Sequence, residues 1–272
     1  MRPVLANNPV NSSAMSIIDT LYDLDDNDSD LLCAMANAEV RQYRNYRWLS
    51  LEGSLIQSVL DLDQPQRLIN PVNIYMLLAL THTGNVNNVL NLGMGGAVFE
   101  RFFSGVYPRA QVHSVENDEA VVHLAREYFA VDPTWPVYLQ SAERFVSASD
   151  AYYDLILCDI FSGETQPQCL YADDFHANCR QRLTPTGIMV FNLVPEHEQD
   201  LLHLLLPLRR AFEFTTLLEI PGHQNVLVFA SPVIFDPITD RVRFESITDL
   251  LDLPATATAD LFRPLPPVER PA

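Results

Sequence analysis

The apolar positions of this chain change rhythm along its length. From Gly84 onward, short apolar runs at 89–93, 112–116, 137–140, 153–161, 188–194, 212–220 and 225–231 alternate with amphipathic stretches at 97–104, 119–129, 142–146, 172–183 and 196–211. Alternation of this kind predicts βαβ units and an α/β domain with a mostly parallel, seven-stranded sheet. The last two runs are joined through Pro221 and Gly222 and read as a hairpin, which leaves an antiparallel C-terminal strand at the edge. Ahead of this core, residues 40–63 are rich in Tyr, Trp, Leu and Ile, are broken by Gly53, and predict a short β-hairpin or two. Residues 71–81 read as a helix with Pro71 in its first turn. The predicted organisation is therefore an acidic, loosely ordered segment over 1–39 and a hairpin and helix lead-in over 40–84. The α/β core follows over 85–232, with an extended, Pro-rich extension over 233–272.

The strongest chemical signal is Val89-Leu90-Asn91-Leu92-Gly93-Met94-Gly95-Gly96-Ala97, an apolar strand that enters a glycine-rich turn and opens a helix. Glycines suit such a turn because the backbone bends tightly and a ligand approaches it without meeting a Cβ. Glu116 lies 23 positions after Gly93, at the end of the next apolar run. That spacing is close to the roughly 20 residues at which a carboxylate reaches a ribose diol. The turn has no Gly-Lys-Ser/Thr, and the third glycine of a G-x-G-x-x-G dinucleotide fingerprint is missing. Without a phosphate cradle, an adenosyl ligand lacking phosphate is favoured.

Composition narrows the partners. A net charge of −18 argues against a nucleic-acid backbone partner and is compatible with a cationic substrate or simply with solubility. The chain is 48 % hydrophobic, and no run of about 18 uncharged apolar residues is present to span a membrane. Residues 1–14 lack the apolar core of a signal peptide, which predicts a cytoplasmic protein. Cys33, Cys158, Cys169 and Cys179 have no zinc-site spacing and read as structural thiols. His113, His123, His176, His197, His203 and His223 form no metal-ligand pair, so no metal is expected.

The motifs LEGSLIQS (51–58), VLNLGMGG (89–96), VHSVENDEAVVHLAREYF (112–129), YDLILCDIF (153–161) and DDFHANCRQRLTPTGIMVFNL (173–193) stand in an order that resembles the spermidine synthase, or polyamine aminopropyltransferase, family. The resemblance covers about residues 47–231. It implies a Rossmann-like class I methyltransferase fold and decarboxylated S-adenosylmethionine, or S-adenosylmethionine itself, as co-substrate. It further implies a small amine such as putrescine as acceptor, and a homodimer. By the same resemblance Gln57 contacts the nucleoside, Gly93 and Gly95 form the turn, and Glu116 binds the ribose. Ser141 and Ala142 border the adenine, and Asp159 borders the amine and acts as base. Asp159 is also where ligands lie in such sheets, outside the carboxyl ends of the strands. A carboxylate there can orient an amine and accept its proton. Methyl transfer from the same sulfonium follows the same logic, so Asp159 alone leaves both reactions open.

Several positions depart from the family pattern. The glycine turn carries no acidic residue, Ser162 replaces a second aspartate after Asp159, Ser141 replaces the adenine-side aspartate, and Asn73-Ile74-Tyr75 replace a Tyr-His-Glu cluster. Glu164, Asp173 and Asp174 are the candidate substitutes, although a solvated loop and helix N-terminus are the simpler reading. Trp48 and Tyr43 are candidate pocket aromatics for which packing is the simpler reading. Residues 163–168 read as a loop over the site. A catalytically silent nucleoside-binding scaffold is the remaining alternative.

Overall fold

Strands buried on both faces of a sheet read as continuous apolar runs, and that is how the runs after Gly84 are used. The computed structural model describes residues 12–25, 27–51, 55–161 and 166–268. It begins with α1 (Ser12–Tyr22) and an antiparallel sheet of β1 (Asp30–Met35), β2 (Ala38–Tyr43), β3 (Tyr46–Leu51) and β4 (Leu55–Asp61), paired in chain order. One face of this sheet, with Val40, Leu49 and Leu60, packs on Val121, Leu124 and Phe129; the other packs Trp48, Ile56 and Val59 with Ile18 and Leu21 of α1. Of the segment expected to be loosely ordered, residues 1–11 lie outside the described residues, while α1, β1 and the start of β2 fall within 12–39. The spaced aspartates obscure Ile18 and Leu21, and pairing with β2 orders β1 despite its exposure.

The helix expected over 71–81 is α2 (Pro71–Met76) followed by a 3-10 turn at Leu77–Thr81. Asn70 caps it, accepting the Val72 N–H at 3.0 Å, and Pro71 occupies the first turn. The core then alternates through β5 (Asn88–Leu92), α3 (Val98–Val106), β6 (Gln111–Glu116), α4 (Glu119–Tyr128), β7 (Val137–Leu139), α5 (Ala142–Ala148), β8 (Tyr153–Cys158), α6 (Asp173–Arg182), β9 (Leu183–Leu193), α7 (Glu198–Ala211), β10 (Phe214–Glu219) and β11 (Val226–Ser231). The tail adds α8 (Arg241–Leu250), α9 (Ala255–Ala259) and β12 (Phe262–Pro264).

Among the described residues the main sheet has the order β12-β10-β11-β9-β8-β5-β6-β7, parallel from β9 to β7. Alternate residues serve opposite layers: Leu155, Leu157, Ile188 and Val190 pack with α2, α3 and α8, whereas Ile156, Cys158, Met189 and Phe191 pack with α5, α6 and α7. The predicted hairpin forms between β10 and β11, with Phe214 opposite Ser231. Its second strand is inserted between β9 and β10, antiparallel to both, and the antiparallel edge is taken by β12. The sheet therefore has one strand more than the seven expected. The tail is not merely extended: Phe235, Phe244 and Phe262 close over Phe229, with Phe229 and Phe235 stacked at 5.1 Å. Among the described residues no helix is long and apolar enough to cross a membrane.

Gly93 follows β5 with φ +91°, and a Cβ there would overlap the carbonyl oxygen of Asp159 and lie 2.8 Å from its carbon. Both the backbone conformation and the contact exclude a side chain. Gly93→Ala is expected to cost about 3 kcal/mol or more, a fall in Tm of roughly 6–12 °C. A melting curve that superimposes on the wild type would contradict this.

Candidate functional site

Because β8, β5 and β6 are parallel neighbours, their carboxyl ends form one rim. Backbone bonds lock it: the Gly93 and Met94 N–H groups donate to the Val115 carbonyl at 2.9 and 3.2 Å, and the Asp159 N–H donates to the Leu92 carbonyl at 2.9 Å. A cavity of about 540 Å³ opens on this rim. Its walls include Gln57, Gly93, Gly95, Glu116, Ser141, Ala142 and Asp159, the seven residues to which the resemblance gives a place in the site. The volume falls within the range of small-molecule sites, roughly 300–1,000 Å³.

Glu116 ends β6 and is fixed by backbone donors. Its Oε2 accepts from Gly95 N–H at 3.1 Å, and its Oε1 accepts from Asn117 and Asp118 N–H at 2.8 and 3.1 Å. Burial pushes its carboxyl above the ordinary range, and the three N–H groups oppose that shift by favouring the charged form. Asp118 caps α4 through Ala120 N–H at 2.8 Å, so the acidic residues after Glu116 serve the helix.

The glycine turn is also held from the N-terminal sheet. Gly96 N–H donates to Ser58 Oγ at 2.8 Å, and the buried Arg101 guanidinium donates to the carbonyls of Gly96, Phe129 and Pro65. Gln57 and Ser58 are neighbours on β4, so that strand carries one residue to the cavity and one to the turn. Ser141 precedes α5 without capping it, which leaves its hydroxyl free of a helix bond.

Asp159 keeps part of its surface open to the cavity while protein surrounds it. Its Oδ1 accepts from Asn192 Nδ2 at 2.8 Å and its Oδ2 from Asn73 Nδ2 at 3.5 Å; Asn192 Oδ1 in turn accepts from Asn225 Nδ2 at 2.9 Å. Burial pushes the Asp159 carboxyl up, and the two amides pull it back. Asn192 and Ser58 were missed from the sequence. The available signal for Asn192 was a polar residue inside the apolar run 188–194; nothing local marks Ser58.

Other candidates lie elsewhere. Trp48 is buried among Ile18, Leu21 and Val59, with Tyr43 against the same cluster, so both are packing residues. Asp173 is exposed and paired with Arg210 at 3.0 Å, and Asp174 is exposed and away from the cavity wall. Residues 163–165 of the loop expected over the site, Glu164 among them, lie outside the described residues; Gln166, Pro167 and Gln168 line the cavity. Cys169 also lines it, but burial, with Glu143 beside it, pushes the thiol up to about 12, so it is held protonated. Among the described residues no group of three His, Cys, Asp or Glu is arranged to hold a metal.

No family model matches the chain. A polyamine aminopropyltransferase of Chromobacterium violaceum is 30 % identical over 209 residues, covering 72 % of this chain and 77 % of that protein. The structure of a probable spermidine synthase from Corynebacterium glutamicum superimposes with a TM-score of 0.65 at 19 % identity, covering 91 % of this chain and 87 % of the other. Spermidine synthase from Thermotoga maritima gives a TM-score of 0.61 at 18 % identity, with 88 % and 84 % covered. The structural likenesses establish the shared fold, and the sequence match goes further: the chain belongs to the polyamine aminopropyltransferase, or spermidine synthase, family.

Proposed function

We propose that this chain transfers an aminopropyl group from decarboxylated S-adenosylmethionine to a small amine such as putrescine. The observation that carries this reading is the common rim on which Glu116 and Asp159, at the ends of β6 and β8, face one cavity from either side of β5. Glu116 takes the ribose. Its Oε1 already accepts two backbone donors, so Oε2, with one, is the oxygen with capacity left for a hydroxyl. Gln57 contacts the nucleoside, Gly93 and Gly95 shape the turn, and Ser141 and Ala142 border the adenine.

The donor supplies a carbon made electrophilic by an adjacent sulfonium. The amine nitrogen attacks that carbon, the C–N bond forms as the C–S bond breaks, and the electron pair leaves on sulfur as the neutral thioether of methylthioadenosine. The surplus amine proton passes to Asp159. A carboxylate raised by burial is a better proton acceptor than one in water, and its amide partners hold it in place for the nitrogen. Methyl transfer from intact S-adenosylmethionine is the second reading. It is favoured by the absence of an acidic side chain from Gly95 to Val98 and by the lack of a side-chain cap at Ala97, which suits a donor carboxylate.

Purified protein given the decarboxylated donor and a panel of primary amines is expected to release methylthioadenosine. No release with any amine would remove the proposal, and adenosylhomocysteine from the intact donor would establish the second reading instead. A separate expectation concerns pH. Asn192 donates to the ionised form of Asp159, so Asn192→Ala raises the Asp159 pKa further and moves the acid limb of the kcat profile upward by about one pH unit. An unchanged acid limb would show that Asp159 is not the titrating base.

A further inference from the structure

The Asp159 carboxyl is held by amides, and two of the amides stand in series. Asp159 Oδ1 accepts from Asn192 Nδ2 at 2.8 Å, and Asn192 Oδ1 accepts from Asn225 Nδ2 at 2.9 Å. Asp159 follows β8, Asn192 lies near the end of β9, and Asn225 immediately precedes β11, after the turn of the β10–β11 hairpin. Because β11 runs antiparallel to β9, with Leu227 opposite Asn192, its beginning lies beside the carboxyl end of β9. The Ile220 N–H donates to the Asn225 carbonyl at 3.2 Å and closes the hairpin at that point. The hairpin thus delivers to the rim an amide that is not itself part of the cavity wall.

The direction of this series follows from what each group can do. An ionised carboxylate only accepts, so Asn192 turns its nitrogen toward Asp159 and its oxygen away. That oxygen is buried and needs a donor, which Asn225 supplies. An acceptor in place of Asn225 would draw the Asn192 amide round, nitrogen outward, and set its oxygen against the carboxylate. A hydrogen bond to the charged form would become one that only the protonated form can make, and the Asp159 pKa would rise. The titratable groups that share the cavity wall with Asp159 include Glu116, Asp118, Glu143 and Cys169, and Cys158 precedes it on β8. Around Asn225 stand Glu219, which pairs with Val226, and His223, whose pKa burial lowers, with Asp19 of α1 beside it. All of these groups are common to the wild type and to the variants below, so a shift between those proteins reads the amides.

We infer that Asn225 is a positioning residue of this site: acting through Asn192, it fixes which end of an amide meets Asp159 and so sets the proton affinity of that carboxyl. Its importance for turnover rests on the reading of Asp159 as the base. The antiparallel hairpin, which lies outside the run of parallel strands, then has a part in the chemistry as well as in the sheet.

The quantity to measure is the Asp159 pKa, by carbon-13 NMR titration of the full chain labelled at the aspartate carboxyls, with the signal assigned by its loss in Asp159→Asn. Asn225→Asp is expected to raise it by more than about one pH unit, because the change reverses the Asn192 amide and adds a charge. In an Asn192→Ala background the same change keeps the charge and loses the relay, and the rise is expected to be at most about half as large. Asn225→Ala, which only frees the Asn192 amide to turn, is expected to raise the pKa by about half a unit. Equal rises from Asn225→Asp with and without Asn192 would overturn the inference, since charge alone would then account for them. A pKa that Asn225→Ala leaves in place would overturn it too. The acid limb of the kcat profile is expected to move in the same order; NMR shifts of the expected size with an unmoved acid limb would leave the relay standing and remove Asp159 as the base.

Discussion

The backbone of Asp159 lies so close to the α-carbon of Gly93 that no side chain fits between them, and this contact sets the geometry of everything around it. It draws the carboxyl end of β8 against that of β5, while the Gly93 and Met94 N–H groups tie the same turn to Val115 on β6. Three strand ends become one rim. A carboxylate from each outer strand then faces the cavity, with the glycine turn between them as the floor. The chemistry proposed for the site depends on that closeness, because pre-positioned reactants replace a bimolecular encounter.

The N-terminal sheet makes the rim durable. Ser58 accepts the Gly96 N–H, and Arg101 spends its guanidinium on carbonyls from the turn, from the end of α4 and from the segment after β4. Three of its five N–H donors are spent on these carbonyls, and the Glu100 carboxylate favours its charge against the cost of burial. The other half of the cavity is built from amides. Asn225, Asn192 and Asp159 form a chain of donors and acceptors, and Asn73 reaches Asp159 from the opposite side. Neutral partners hold the carboxylate in place without the strong pKa depression that a buried cation would cause.

Features carried by local pattern were legible in the sequence. Strands buried on both faces leave unbroken apolar runs, and the glycine turn with Glu116 at the next strand end needs only spacing to be recognised. Asp159 was placed by its strand-end position and by family resemblance. Features set by tertiary contact were not legible. Strand β12 has three residues and exists because β10 offers an edge, and the aromatic residues of the tail become core when Phe262 and Phe244 close over Phe229. Asn192 has meaning once it faces Asp159, and Ser58 meets Gly96 across 38 positions of chain. Trp48 and Tyr43 were candidates because aromatics near a hairpin serve either role, and the packing of α1 decides it for both.

The central claim is that this rim is a nucleoside site with Glu116 on the ribose. Calorimetric titration of methylthioadenosine into wild type, Glu116→Ala and Asp159→Asn tests it most directly, with circular dichroism confirming that each variant is folded. The account predicts binding by the wild type, at least about tenfold weaker binding by Glu116→Ala, and a change within about threefold for Asp159→Asn, which removes the amine-side charge and keeps the nucleoside contacts. Absence of binding by the wild type, or equal affinity in a folded Glu116→Ala, would contradict it.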